Sequence, residues 1–252
     1  MTYEPFFIEG EARASRWLIT CDHASNLVPA FVNGGANGGA NGGCLGLAPA
    51  DMARHIAYDI GAAGLARALG AALNAPVIGT NFSRLVIDPN RGEDDPTLVM
   101  KLYDGTIIPG NRGADEVEVK RRLNRLYRPY HTALSQMAAR RADTVILSVH
   151  SFTRQLRGRA PRPWHVALLS AADRRLAVPL VASLRAEADL CVGDNEPYTG
   201  HLPGDAIARH AIAYQRPNIL IELRNDLIAD APAQAAWAAR LAPHLTAALD
   251  HI

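Results

Sequence analysis

The chain has little cysteine, almost no net charge and no long apolar run, and each shortage excludes a class of protein. Its three cysteines, Cys21, Cys44 and Cys191, are an odd, widely spaced set without a CxxC pair. That excludes a disulfide framework and a cysteine-based zinc site. Lys and Arg number 26 against 25 Asp and Glu, a formal net charge of +1, so no global field draws the chain to nucleic acid or an anionic membrane. No stretch approaches the ~20 apolar residues that span a bilayer. The N-terminal Met-Thr-Tyr-Glu-Pro-Phe-Phe lacks the basic start and apolar stretch of a signal peptide. These absences predict a cytoplasmic protein with no nucleic-acid or membrane partner. A phosphate-cradling loop is also missing, because no GxxxxGK[ST] or GxGxxG follows a strand and opens a helix.

What is present is enough apolar material for a core: 48% of 252 residues are hydrophobic and 20% are charged. Short apolar runs at 17–21, 76–79, 144–149, 165–169 and 218–223 predict buried strands. Between them, helical patterns fit 51–73, 115–141, 171–188, 204–213 and 231–249. Strands alternating with long helices predict an α/β fold with a mostly parallel sheet covered on both faces. No linker divides the series, so residues 1–252 read as one domain. The Gly/Asn/Ala repeat at 33–44 reads as a flexible surface loop.

Polar residues collect where the predicted strands end, which is where open parallel sheets bind ligands. The first run leads into Asp22-His23-Ala24-Ser25-Asn26, and the run at 144–149 leads into His150-Ser151. Glu222 sits inside an apolar run, and Arg84, Asn90 and Arg91 follow the run at 76–79. Buried ionisable groups need partners, so two histidines and a glutamate at neighbouring strand ends point to a shared site. Metal-assisted hydrolysis uses such a set. Imidazoles bind Zn²⁺, a carboxylate moves the water's proton, and an arginine fork takes a substrate carboxylate. A Cys21–His23 nucleophilic pair is the weaker alternative. His55 and Asp59, four apart on the predicted 51–73 helix, share a face and read as packing or as support for a ligand.

Seven segments resemble the N-formylglutamate amidohydrolase family: CDHASNLVP (21–29), HIAYDIGA (55–62), SRLVIDPNR (83–91), HSFT (150–153), RPW (162–164), VGDNEPY (192–198) and IELRNDLI (221–228). The resemblance covers nearly the whole chain. It implies a three-layer α/β/α, mixed and mostly parallel sheet of the phosphorylase/hydrolase-like kind, as in zinc carboxypeptidases and aspartoacylase. It also implies hydrolysis of N-formyl-L-glutamate to formate and glutamate, as in histidine degradation. Carried over by residue, His23 and His150 match metal ligands, Glu222 the general base, and Asn90-Arg91 the pair that holds a substrate carboxylate. Arg84 is the candidate for polarising the scissile carbonyl, and Ser151, Tyr198 and Arg224 complete the expected substrate contacts.

The carboxypeptidase-like pattern His-x-x-Glu is replaced here by His23-x-x-Asn26. An amide oxygen is a poor zinc ligand, so the third metal ligand is expected to be Asp22 or Asn26. Two rival functions remain. One is a peptidase or cell-wall amidase on the same constellation. The other is a catalytically silent binder of acidic metabolites, which the substitution at Asn26 favours.

Overall fold

Each predicted apolar run becomes a strand because its side chains are covered on both faces. The computed structural model describes residues 3–32, 43–200 and 202–252. In chain order the elements are β1 (Phe6–Glu9), β2 (Trp17–Cys21), α1 (Pro49–Met52), α2 (Ala62–Ala72) and β3 (Val77–Thr80). A small hairpin follows, β4 (Leu102–Tyr103) and β5 (Thr106–Ile107), then α3 (Pro109–Arg112) and α4 (Glu116–Arg122). A π turn at Leu123–Tyr127 joins α4 to α5 (Arg128–Ala139). The rest comprises β6 (Val145–Phe152), β7 (Val166–Leu169), α6 (Ala177–Arg185), β8 (Val192–Asp194), α7 (Ala206–His210), β9 (Asn218–Arg224) and α8 (Ala231–Leu249).

Among the described residues seven strands form one sheet, in the order β1-β3-β2-β6-β9-β7-β8. The middle four, β3, β2, β6 and β9, run parallel, while β1 and the β7–β8 pair run against them. Pleat alternation sorts each strand's side chains between two helical layers. Val145, Leu147 and Val149 of β6 and Ile219, Ile221 and Leu223 of β9 join Ile19 and Cys21 in a core covered by α2, α6 and α8. On the other face Leu18 and Ile146 pack against Tyr130, Leu134 and Met137 of α5 and Ile207 of α7. The result is the expected three-layer α/β/α arrangement.

The predicted helix over 51–73 is not continuous. Helix stops after Met52 and resumes at Ala62, so 53–61 is a connecting segment. Its Ile56 and Ala57 belong to a separate apolar cluster, with Phe82, Leu85, Val86 and Ile87 from the irregular stretch after β3. Gly61 closes the segment with φ +80°, where a Cβ would meet the Ile228 carbonyl at 2.1 Å; only glycine fits there. The stretch after β3 is buried without being a strand or helix, so its carbonyls need partners. Buried Arg122 donates to the Val86 carbonyl and to Asn111, whose amide donates to the Leu85 and Met100 carbonyls. Residues 33–42 of the Gly/Asn/Ala repeat lie outside the described residues.

Candidate active site

Parallel register sets the site's level. Thr20 of β2 pairs with Ser148, and His150 of β6 pairs with Glu222 of β9. Two residues past Thr20, Asp22 therefore stands beside His150, and the chain turns there to present His23. His150 and Glu222 occupy the sheet face opposite the α2–α6–α8 core, by the same alternation that buries Val149 and Ile221. They line a cavity of about 430 Å³ with His23, Asp59, Arg84, Asn90 and Arg91. Ser151 and Tyr198 line it too.

Three donors converge on its floor. His23, Asp59 and His150 are all buried and each offers one ligand atom, all within 4.8 Å of one another. Asp59 Oδ2 lies 3.3 Å from His23 Nδ1, accepts from His150 Nδ1 at 2.8 Å, and accepts from the Ser151 backbone N–H at 3.3 Å. The far nitrogens are also held. His23 Nε2 donates to Asp88 Oδ1 at 2.7 Å, and His150 Nε2 lies 3.1 Å from Ser148 Oγ and 3.5 Å from Asp22 Oδ2. A carboxylate behind each imidazole fixes the ring and its tautomer, the arrangement that supports metal-binding histidines.

Charge follows this wiring. Burial alone would raise the Asp59 carboxyl, but the charges and hydrogen bonds of His23 and His150 hold it far below the usual carboxylate range. Burial likewise opposes a charged His150, yet its bonds to Asp22 and Asp59 hold its pKa well above the ordinary value. Glu222 goes the other way: burial pushes its carboxyl up to about 7, and its Oε2 is buried with no hydrogen-bond partner. A buried acceptor without a partner is costly, so this oxygen is poised for a group that enters the cavity.

Several expected contacts fall elsewhere. Asn26 does not point at the imidazoles; its amide donates to the Met52 carbonyl at 2.9 Å. Asp22 stands behind His150 and accepts from the Tyr130 hydroxyl, outside the cavity lining. The third donor is Asp59, on the connecting segment rather than on a helix face with His55. Its backbone N–H donates to the His23 carbonyl at 3.0 Å, and Arg84 and Ser83 bind the Ala57 carbonyl beside it. Arg84 reaches the cavity with both terminal nitrogens engaged, on Asp88 at 2.8 Å and Asp59 at 3.4 Å. Arg224 lies outside the lining and pairs with Asp226 at 2.8 Å. Cys21 belongs to the α2–α8 side of the core, and burial raises its thiol pKa, so it supplies no nucleophile. His201 lies outside the described residues.

Asn90 and Arg91 line one wall together. The Asn90 backbone donates to Asp88, its side-chain oxygen accepts from the Ala206 N–H, and the Arg91 carbonyl accepts from the Tyr127 hydroxyl. Among the described residues Arg91 itself bonds only the Asn90 carbonyl and Thr97. Sequence reasoning missed Asp205, which caps α7 through the Ala208 N–H and lines the same cavity. Burial raises its carboxyl to about 6. The signal was an Asp at the start of the helical pattern over 204–213, which by itself reads only as a cap.

The gene product Atu2144 from Agrobacterium tumefaciens is similar over 98% of this chain and 96% of its own, with 33% identity and a TM-score of 0.89. An N-formylglutamate amidohydrolase from Ralstonia eutropha JMP134 shares the fold, with 23% identity, a TM-score of 0.68, and coverage of 97% of this chain and 95% of its own. No protein of curated function matches significantly. The sequence profile of N-formylglutamate amidohydrolases matches residues 15–229, a span that holds His23, Asp59, His150 and Glu222. The chain belongs to the N-formylglutamate amidohydrolase family.

Proposed function

We propose that the chain is a metal-dependent amidohydrolase that cleaves N-formyl-L-glutamate to formate and glutamate. One observation carries the reading: the buried His23–Asp59–His150 triplet lies in one small cavity with the unpartnered carboxylate oxygen of Glu222. Two imidazoles and a carboxylate are a donor set of the kind catalytic zinc takes, with room left for water. The carboxylates behind both rings fit that role, and His23, Asp59 and His150 would hold the ion. When bound, a divalent ion such as Zn²⁺ lowers the pKa of water towards 7 and polarises a carbonyl.

The chain's own groups supply the remaining steps. Glu222 accepts a proton from the attacking water, whose oxygen bonds to the formyl carbon. The carbon–nitrogen bond then breaks, and the same proton passes from Glu222 to the departing amine. Arg91, with a guanidinium not ion-paired to any described residue, binds a substrate carboxylate, and Asn90 stands beside it. Arg84 keeps Asp88 ionised and helps to hold Asp59 in place beside the cavity. Walls of Phe152, Leu169 and Leu220 limit water around the reacting atoms. The silent-binder reading drew on Asn26, and that side chain turns away from the cavity.

The test is formate release from N-formyl-L-glutamate, before and after removal of bound metal by a chelator. Release that stops with chelation and returns with Zn²⁺ is the expected result. No formate from the metal-loaded protein, with amine released from acyl-dipeptides instead, would replace this reading with the peptidase one.

A further inference from the structure

We propose that Arg162 binds the side-chain carboxylate of the substrate at the cavity mouth, and so selects acidic N-acyl amino acids over neutral ones. The inference rests on the function proposed above and names what fixes its substrate class. A substrate with two carboxylates asks for two available cations, and the cavity wall itself offers one. Arg84 is neutralised by Asp59 and Asp88, which leaves Arg91 for a single carboxylate.

Arg162 supplies the second cation. Its guanidinium carbon lies 5.0 Å from the centre of the Tyr198 ring and 5.7 Å from that of Phe152. Both rings line the cavity, and Tyr198, 40% exposed, marks its mouth. Arg162 Nη1 donates to the carbonyl of Thr153, another lining residue, at 3.2 Å. Its charge also reaches inward: burial lowers the pKa of the His55 imidazole in the cavity wall, and Arg54, Arg162 and Arg84 add to that effect.

Two physical points turn this placement into a binding site. A cation–π contact draws on the charge of a guanidinium and consumes none of its N–H donors, so donors remain for a ligand. A guanidinium carries five such donors, and the Thr153 carbonyl and the Tyr198 hydroxyl account for few of them. No ion pair joins Arg162 to a carboxylate among the described residues, whereas Arg54, Arg84 and Arg174 each have one. A half-buried, unneutralised guanidinium held at the mouth of an amidohydrolase cavity is matched by a carboxylate. Arg91 and Arg162 touch different lining residues, so they receive the two ends of a dicarboxylate rather than one group.

The experiment compares Arg162→Gln and Arg162→Lys with the parent protein by two readouts. In kinetics, Arg162→Gln raises KM for N-formyl-L-glutamate by about 10–100-fold, the worth of a lost charged hydrogen-bond pair, with little change in kcat. KM for N-formyl-L-glutamine stays within about twofold, and Arg162→Lys keeps part of the preference. An equal rise for both substrates, or equal loss in both variants, overturns the assignment as a packing effect. In calorimetry the metal-loaded protein is titrated with glutarate and with butyrate. Arg162→Gln weakens glutarate alone by about tenfold or more; unchanged glutarate binding overturns the proposal. If the parent releases no formate yet glutarate binding depends on Arg162, the deformylase reading fails and the Arg162 site stands. If formate is released normally and glutarate ignores Arg162, the reverse holds.

Discussion

Among the described residues two buried histidine pairs lie within this fold, and they behave in opposite ways. His23 and His150 have ring centres 4.9 Å apart, and His131 and His210 have centres 5.1 Å apart. Spacing and burial do not tell them apart; their partners do. The first pair faces Asp59 and is backed by Asp88 and Asp22. The second pair bonds to itself at 2.8 Å and to the Pro89 carbonyl at 3.0 Å, with no carboxylate in contact among the described residues. Burial then wins, pushing His131 down to about 3 and His210 to about 4, whereas His150 is held up. Carboxylate wiring, not the presence of histidine, separates the candidate catalytic floor from a structural brace. The brace still matters to the site, because Pro89 leads directly into Asn90 and Arg91.

The largest way to break this contrast is to remove the proposed proton carrier from the wired pair's cavity. Glu222→Gln keeps the shape and should lower kcat by about 10²–10⁴-fold, the usual worth of a general base, with substrate binding retained. His210→Gln, in the brace, should leave kcat within a few-fold. Unchanged turnover in Glu222→Gln would remove it from the chemistry, and a matching loss in His210→Gln would erase the distinction between the pairs.

A smaller effect sharpens the role of the backing carboxylates. Asp88→Asn keeps a hydrogen bond to His23 Nε2 but removes the charge, and should weaken metal binding by about 10–100-fold. Competition with a chromophoric chelator measures this directly. Because Asp88 also holds Arg84, a control is needed, and Arg84→Gln supplies it. If Asp88→Asn binds metal like the parent, Asp88 serves Arg84 rather than His23.

Much of this was legible in the sequence, for a physical reason. Strands β2, β3, β6, β7 and β9 are covered on both faces, so they read as continuous apolar runs. Strand β1 has only half-buried residues and β8 is three residues long, too short and mixed to register. His23, His150 and Glu222 were visible because they interrupt or end apolar runs. Asp59 was misplaced because Met52, Ile56, Ile60 and Leu65 imitate a helical stripe. In the fold Ile56 packs with the stretch after β3 while Leu65 packs under the sheet. One warning was available: Gly61 in the middle of the predicted helix, a breaker that the structure uses at φ +80°. Asn26 misled in the opposite sense, since a spacing borrowed from His-x-x-Glu says nothing about where a turn aims its third residue.

The smallest effect tests the brace itself, through pH and stability. His210 is buried and its folded pKa, about 4, lies below the ~6.5 of an unfolded histidine. The unfolded chain therefore binds the extra proton first, so the contribution is intact above about pH 6.5 and is lost as pH falls towards 4. Between pH 7 and 5 this costs about 2 kcal/mol for one such histidine. Gln at 210 can still donate to His131 Nδ1 but cannot titrate. Urea denaturation of His210→Gln at the two pH values should thus show a loss shallower than the parent's by about 1–2 kcal/mol. His150 has the opposite sign: its raised pKa gives stability present below the unfolded value and lost as pH rises through the folded one. A parent-like slope in His210→Gln would mean that His210 takes up its proton within the folded protein, and the two pairs would then differ in position but not in charge.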